Sequence, residues 1–159
     1  MFAKDDAIDA GNGSEFEDRG TVNIDHCWIE SAFHEGLALS SIGTRIHNIE
    51  NTTVTNCGQG IELGFSVASH MVNIDNCLIF KNGVGLRYGD NYTREVAGTM
   101  NVKNTVSRDN IYYDVWNMLR SIWAPKLDKI NFTNTSVSKP CKQYPLLYPA
   151  TSIKAVWLK

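Results

Sequence analysis

Apolar and polar residues alternate along this chain in a phrase of about eight residues that returns five times. The phrase places an asparagine before a central apolar residue, and its copies occupy positions 22–29, 47–54, 72–79, 100–106 and 130–135. The central apolar residues advance along the chain by 25, 25, 28 and 30 positions. A second phrase, a small residue followed by two apolar residues around a variable one, occupies 7–10, 36–39, 60–63 and 85–88. The chain is therefore an internal repeat of short alternating segments.

These segments predict β-strands, because alternation with a period of two places one set of side chains on each side of a strand. A unit of about 25 residues cannot bury its own apolar side and must stack on its neighbours as a solenoid. We predict an all-β fold, a parallel β-helix of about five to six coils over 1–138. Prolines break the repeat near the end, which predicts a C-terminal cap or wrapping segment at 139–159. The half coil at 5–10 predicts a chain truncated at its N-terminus, with further coils preceding it in a longer protein.

One position of the repeat predicts an asparagine ladder at a bend, where side-chain amides bond along the stack. It is occupied by His26, Asn51, Asn76, Asn104 and Asn134. The next position holds a column of small residues, Cys27, Thr52, Cys77, Thr105 and Thr135. Since the four cysteines form no CxxC pair and two share this column, we expect buried free thiols that behave as small apolar residues.

Alternation in the second phrase also predicts which side chains point outward. Asp9, Ala38, Glu62 and Arg87 would form one outward column, and Ala7, Gly36, Gly60 and Gly85 a second one that leaves a shallow, open floor. With the preceding residues, one face of the solenoid would gather a polar cluster. Its members are Asp5, Asp6, Asp9, His34, Glu35, Gln59, Glu62 and Arg87.

This cluster is the candidate functional site. Three aspartates beside a histidine and a glutamate cost like-charge repulsion that a purely structural surface would avoid. Glu62 and Arg87, one coil apart, also fit an ordinary surface ion pair, which contributes about 1 kcal/mol or less.

Composition narrows the function classes. The chain has 159 residues, a formal net charge of -2 and 15 asparagines. This charge gives no basis for binding nucleic acid by phosphate neutralisation or for attraction to an anionic membrane. No apolar run approaches the roughly 20 residues that span a bilayer as a helix. We therefore expect neither nucleic acid nor a membrane as a partner.

The repeat resembles the right-handed parallel β-helix, or pectin-lyase-like, superfamily, many of whose members act on polysaccharides. A narrower resemblance, to the polygalacturonase-type glycoside hydrolases, is carried by Lys4-Asp5-Asp6-Ala7-Ile8 and Phe33-His34-Glu35-Gly36-Leu37 on successive coils. It implies that Asp5 and Asp6 are the acid/base carboxylates and that His34 tunes or positions them. Where that family carries an Arg-x-Lys pair one coil later, this chain has Ile61-Glu62-Leu63.

Two classes of function follow. The first is a carbohydrate hydrolase or lyase, with Asp5, Asp6 and His34 as catalytic residues. Its substrate-binding residues would be Asp9, Glu35, Gln59, Glu62 and Arg87, and its partner a polysaccharide or oligosaccharide. No cofactor is required, although in a lyase Asp5, Asp6 and Asp9 would hold calcium through hard oxygen ligands. The second class is a non-catalytic cell-surface, carbohydrate-binding or structural module. Either suits an extracellular or cell-surface location within a longer secreted protein.

Overall fold

A computed structural model describes residues 3–10, 19–41, 43–64, 66, 70–89, 98–117, 130–137 and 140–141. These residues form sixteen short strands: β1 (Ile8–Asp9), β2 (Thr21–Asp25), β3 (Trp28–Glu30), β4 (Glu35–Ala38), β5 (Ile46–Glu50), β6 (Thr53–Thr55), β7 (Gln59–Leu63), β8 (Met71–Asp75), β9 (Leu78–Phe80), β10 (Val84–Tyr88), β11 (Thr99–Lys103), β12 (Val106–Arg108), β13 (Tyr113–Asn117), β14 (Ile130–Thr133), β15 (Ser136–Val137) and β16 (Pro140–Cys141). Within this part of the chain, no helix has the length and apolar character to cross a membrane.

The strands assemble into three sheets in which every pairing is parallel. Sheet 1 has the order β1-β4-β7-β10-β13-β16, sheet 2 the order β14-β11-β8-β5-β2, and sheet 3 the order β15-β12-β9-β6-β3. Each coil contributes one strand to each sheet, so the five rungs of sheets 2 and 3 correspond to about four turns from the first rung to the last. The predicted all-β parallel β-helix is confirmed. Strand β16 continues sheet 1 into the segment predicted as a cap, and residues 139 and 142–159 of that segment lie outside the described residues.

The apolar core runs between the three sheets, and each of its columns comes from one position of the repeat. The columns are Ile24, Ile49, Ile74 and Val102 from sheet 2, Ile29, Val54 and Ile79 from sheet 3, and Leu37, Ile61 and Leu86 from sheet 1. All of these side chains are buried. Burying one such aliphatic side chain stabilises the fold by about 1.5–3 kcal/mol, which explains why a unit too small to fold alone is stable in a stack.

The predicted ladder at the bend between sheets 2 and 3 is confirmed, with two interruptions. Its five residues share a left-handed backbone, with φ between 47° and 52°, a conformation that asparagine tolerates better than most residues. Asn76 donates to Asn51 and Asn134 donates to Asn104, at 2.7 and 2.8 Å. Asn51 and Asn104 instead donate to the carboxylates of Asp25 and Asp75.

A second asparagine ladder, on sheet 2, was missed by the sequence reasoning. Asn48 donates to Asn23, Asn73 to Asn48, Asn101 to Asn73 and Asn131 to Asn101, at 2.8–2.9 Å. The signal was present, because each copy of the first phrase has an asparagine before its central apolar residue. This ladder runs without a break through all five rungs of sheet 2.

The column of small residues beside the bend is also observed. The threonine hydroxyls of Thr52 and Thr105 accept hydrogen bonds from the backbone N–H groups of Cys27 and Cys77 on neighbouring coils. Cys57 and Cys77 are buried free thiols and Cys27 is a half-buried one. Burial raises the pKa of the Cys57 thiol and raises that of Cys77 to about 11. Both thiols therefore act as small apolar groups, as expected.

The predicted open floor of glycines is wrong. A Cβ atom on Gly36 would lie 2.6 Å from Cγ1 of the core residue Val54, and one on Gly60 would lie 2.9 Å from Cγ2 of Ile79. These glycines therefore face the interior, where the chain enters sheet 1. Strict alternation fails here, because Gly36 and Gly60 face the core although the residues that follow them, Leu37 and Ile61, are core residues as well.

Candidate functional site

Two successive coils bring Asp5, Asp6 and His34 together at the start of sheet 1. The aspartates precede β1, His34 precedes β4, and these two strands are paired. The pairing extends before the strands, because the His34 N–H donates to the carbonyl of Asp5 at 3.2 Å and the Ala7 N–H donates to the carbonyl of Glu35 at 2.9 Å. The backbone of the stack thus fixes which side chains meet.

One imidazole nitrogen faces three carboxyl groups. Nδ1 of His34 lies 3.6 Å from Oδ1 of Asp5, 3.5 Å from Oδ1 of Asp6 and in direct contact with Oε2 of Glu35. Asp5 is exposed, with 85 % of its side chain accessible, whereas Asp6 is 16 % and His34 32 % accessible. The cluster therefore opens to solvent on the Asp5 side and is closed on the Glu35 side.

Behind this cluster, the outer side of sheet 1 carries a buried polar network. Gln59 donates from Nε2 to Glu35 at 2.6 Å and accepts from Nη1 of Arg87 at 2.8 Å. The same Arg87 nitrogen lies 3.0 Å from Oε2 of Glu62 and 3.6 Å from Oε1 of Glu35. On the next rung, the ring of Trp116 lies 5.6 Å from the Arg87 guanidinium carbon. The network joins four successive rungs of sheet 1.

This burial corrects the predicted surface. Arg87 and Gln59 are fully buried, and Glu35 and Glu62 nearly so. Arg87 alternates with the core residues Leu86 and Tyr88 and so does point away from the core, as predicted, but this side of the sheet is not solvated. The Glu62–Arg87 ion pair exists, and it is a buried pair that must be matched by hydrogen bonds rather than a surface pair.

The surroundings of Asp6 and His34 lower the pKa of the aspartate and raise that of the histidine. Burial acts to raise the pKa of Asp6, but hydrogen bonds from His34 and from the side chain and backbone N–H of Glu35 outweigh it and lower the pKa to about 2. The hydrogen bond to Asp6 raises the pKa of His34 against the opposing effect of burial. At neutral pH, Asp6 is ionised and His34 is biased toward the imidazolium.

Glu35 behaves in the opposite way to Asp6. Burial raises its pKa far above the usual range for a carboxyl, and the neighbouring carboxylates of Glu62 and Asp6 raise it further. Arg87 lies closer to Glu62 than to Glu35, at 3.0 Å against 3.6 Å. The protonated form of Glu35 is therefore favoured beside an ionised Asp6.

The structure divides the predicted site residues into three groups. Asp5, Asp6 and His34 meet at the solvent-facing end, and Glu35, Gln59, Glu62 and Arg87 form the buried network. Asp9 lies along β1 in register with Ala38, which is in turn in register with Glu62. Among the described residues, the group able to offer ligand atoms to a metal ion within 4.8 Å of one another is Asp5, Asp6 and His34, and Asp9 does not belong to it.

Trp116 is the member of this network that the sequence reasoning did not place. It stands in register with Arg87, as Glu62 does on the other side. The signal was weak, because the interval between the third and fourth coils departs from 25 residues and the second phrase has no glycine there.

Comparison of the chain with protein-family models, with curated proteins and with solved structures gave no match.

Proposed function

We propose that the protein is a carbohydrate-active enzyme, a glycoside hydrolase related to the pectin-lyase-like superfamily, with its acid–base chemistry at the solvent-facing end of sheet 1. The observation that carries the proposal is the single His34 nitrogen facing the carboxyl groups of Asp5, Asp6 and Glu35. Such a cluster holds ionised and protonated groups side by side at one pH, which acid–base catalysis requires.

In this proposal, the two aspartates have different roles. Asp5, the most exposed of the group, gives a proton to the glycosidic oxygen as the bond to the anomeric carbon breaks. Asp6, held ionised, takes a proton from the water that adds to that carbon. The proton that Asp6 has taken then passes through His34 and Glu35 to Asp5, which returns all four groups to their starting state. The buried network of Gln59, Glu62 and Arg87 keeps Glu35 in place.

A panel of polysaccharides tests this proposal. The purified chain should release reducing ends from at least one of polygalacturonate, pectin, xylan and alginate, without forming unsaturated uronates. Asp6→Asn should lower the rate at least about a hundredfold, the lower end of general acid–base contributions. Asp109→Asn is the matched control, because Asp109 is exposed at a left-handed bend on another part of the solenoid, which asparagine also tolerates.

Two results would overturn the proposal. Unsaturated uronates as products would indicate a lyase, in which the Asp5, Asp6 and His34 group would serve calcium rather than proton transfer. No product from any polysaccharide, with a folded protein, would favour a non-catalytic binding or structural module.

A further inference from the structure

A groove on the outer side of sheet 3 lies on a different face of the solenoid from the acid–base cluster. It encloses about 330 Å³ and is lined by Trp28, Glu30, Thr55, Asn56, Phe80 and Lys81, which we call the Trp28 groove. Trp28 is 65 % exposed, the largest exposed fraction among the big apolar side chains of the described residues. An exposed indole beside a groove is a candidate surface for binding a ligand.

The repeat itself builds the groove. Trp28 and Glu30 alternate with the buried Ile29 on β3 and so point outward together. Glu30, Thr55 and Phe80 stand in register on three successive rungs. The far wall comes from the bend that follows these strands, where Asn56 and Lys81 share a left-handed backbone with φ of 55°.

The indole of Trp28 is held in place rather than loosely exposed. Its Nε1–H donates to Oε2 of Glu30 at 2.9 Å, which fixes the edge of the ring and leaves its faces available. The amide of Asn56 is oriented by a hydrogen bond to Oγ of Ser31 at 3.2 Å. A ligand would therefore meet groups that have already lost much of their rotational freedom.

The chemistry of the lining indicates the class of ligand. An aromatic face covers a flat apolar surface, while Glu30, Asn56 and the Lys81 ammonium, which lies 5.8 Å from the centre of the Phe80 ring, offer acceptors and donors around it. A pyranose ring has this complementary form, with C–H bonds on its face and hydroxyl groups at its rim. A pocket of this volume is at the small end of ligand sites, which suits one or two sugar rings rather than a folded partner.

We propose that the Trp28 groove binds a sugar unit of a polysaccharide chain and holds the chain to the protein without taking part in its cleavage. The groove does not depend on the proposed hydrolase activity, because none of its residues belongs to the acid–base cluster. Lys81 should add attraction for sugars that carry a carboxylate.

Affinity electrophoresis in gels containing polygalacturonate or the neutral polymers xyloglucan and dextran tests the groove. We expect retardation of the wild-type chain by at least one of these polymers and about tenfold weaker binding for Trp28→Ala. Trp28→Phe, which keeps an aromatic face but loses the hydrogen bond to Glu30, should be intermediate. Lys81→Asn keeps a residue suited to the left-handed bend and should weaken binding of polygalacturonate more than that of the neutral polymers.

Two variants serve as controls. Phe132→Ala removes another exposed aromatic side chain, on sheet 2, and should be retarded like the wild type. Asp109→Asn, on another part of the solenoid, should also bind like the wild type. Since the experiment measures retardation and not cleavage, a failure of the hydrolase proposal would leave this result intact. Equal retardation of wild type and Trp28→Ala, or no retardation by any polymer, would overturn the proposal. Self-association in sedimentation that is lost in Trp28→Ala would overturn it in favour of a second copy as the occupant.

Discussion

Glu35 and Asp6 show how position alone separates two chemically similar carboxyl groups. Asp6 receives hydrogen bonds from His34 and from the Glu35 N–H, and remains ionised. Glu35 is buried beside Glu62 and Asp6, which makes its charged form costly. Neither the lowered pKa of Asp6 nor the raised pKa of Glu35 follows from residue type, since both groups titrate near pH 4 when free in water.

This difference predicts a pH-dependent stability. A carboxyl whose pKa is raised on folding stabilises the native state below its unfolded pKa of 4.5, and that contribution is lost as pH rises toward the folded pKa. Glu35→Gln mimics the protonated form at every pH. From pH 5 to 8, the free energy of unfolding of the wild type should therefore fall relative to that of the variant, by up to about 1.4 kcal/mol per pH unit.

Urea unfolding at pH 5, 6, 7 and 8 measures this difference. Glu50→Gln, at the exposed end of β5, is the matched control and should run parallel to the wild type. A wild-type to Glu35→Gln difference that stays constant over this range would show that Glu35 is ionised throughout it.

Strands of two to five residues are too short to be stable alone, and stacking stabilises them here. Each strand inside a sheet is bonded on both sides to the equivalent strands of neighbouring coils, and the two strands at the ends of a sheet are bonded on one side among the described residues. The asparagine ladder on sheet 2 adds side-chain bonds in the same direction. Each asparagine should therefore stabilise the fold in proportion to the number of other ladder asparagines to which it is hydrogen-bonded.

Asn73→Ala tests this additivity. Asn73 donates to Asn48 and accepts from Asn101, so its removal breaks two hydrogen bonds, whereas Asn23→Ala breaks the one from Asn48. At about 1 kcal/mol for each bond, Asn73→Ala should lower the free energy of unfolding by about 2 kcal/mol and Asn23→Ala by about 1. Equal losses in urea unfolding would indicate that the amides bond to water as well as to each other.

The strands and the bend ladder could be predicted from sequence because they depend on local periodicity and on the preference of asparagine for a left-handed bend. The directions at the glycines could not be predicted, because strict alternation assigns Gly36 and Gly60 to the outward side and both face the core. The predicted open floor was therefore wrong, because these glycines lie against core side chains.

At the scale of the whole molecule, the candidate site forms only when successive coils of the chain stack on each other. Asp6 and His34 lie 28 positions apart, and the pairing of two coils brings them to 3.5 Å. Sequence register was sufficient to predict that Asp5, Asp6 and His34 would meet. The burial of Arg87 and Gln59 was not predictable, because a repeat pattern states which side of a sheet a residue faces but not whether that side meets water.

The decisive measurement is the NMR titration of the His34 imidazole in the wild type, in Asp6→Asn and in Asp109→Asn. The hydrogen bond to Asp6 is the largest influence on this group, so the pKa of His34 should stand above 6.5 in the wild type and in Asp109→Asn, and should fall in Asp6→Asn. Calcium bound to the carboxylates of Asp5 and Asp6 would instead lower the pKa of His34, because it would place positive charge beside the imidazole. A His34 that titrates at its ordinary value in the wild type and does not respond to Asp6→Asn would show that the two coils do not bring these groups together, and the acid–base site would not exist.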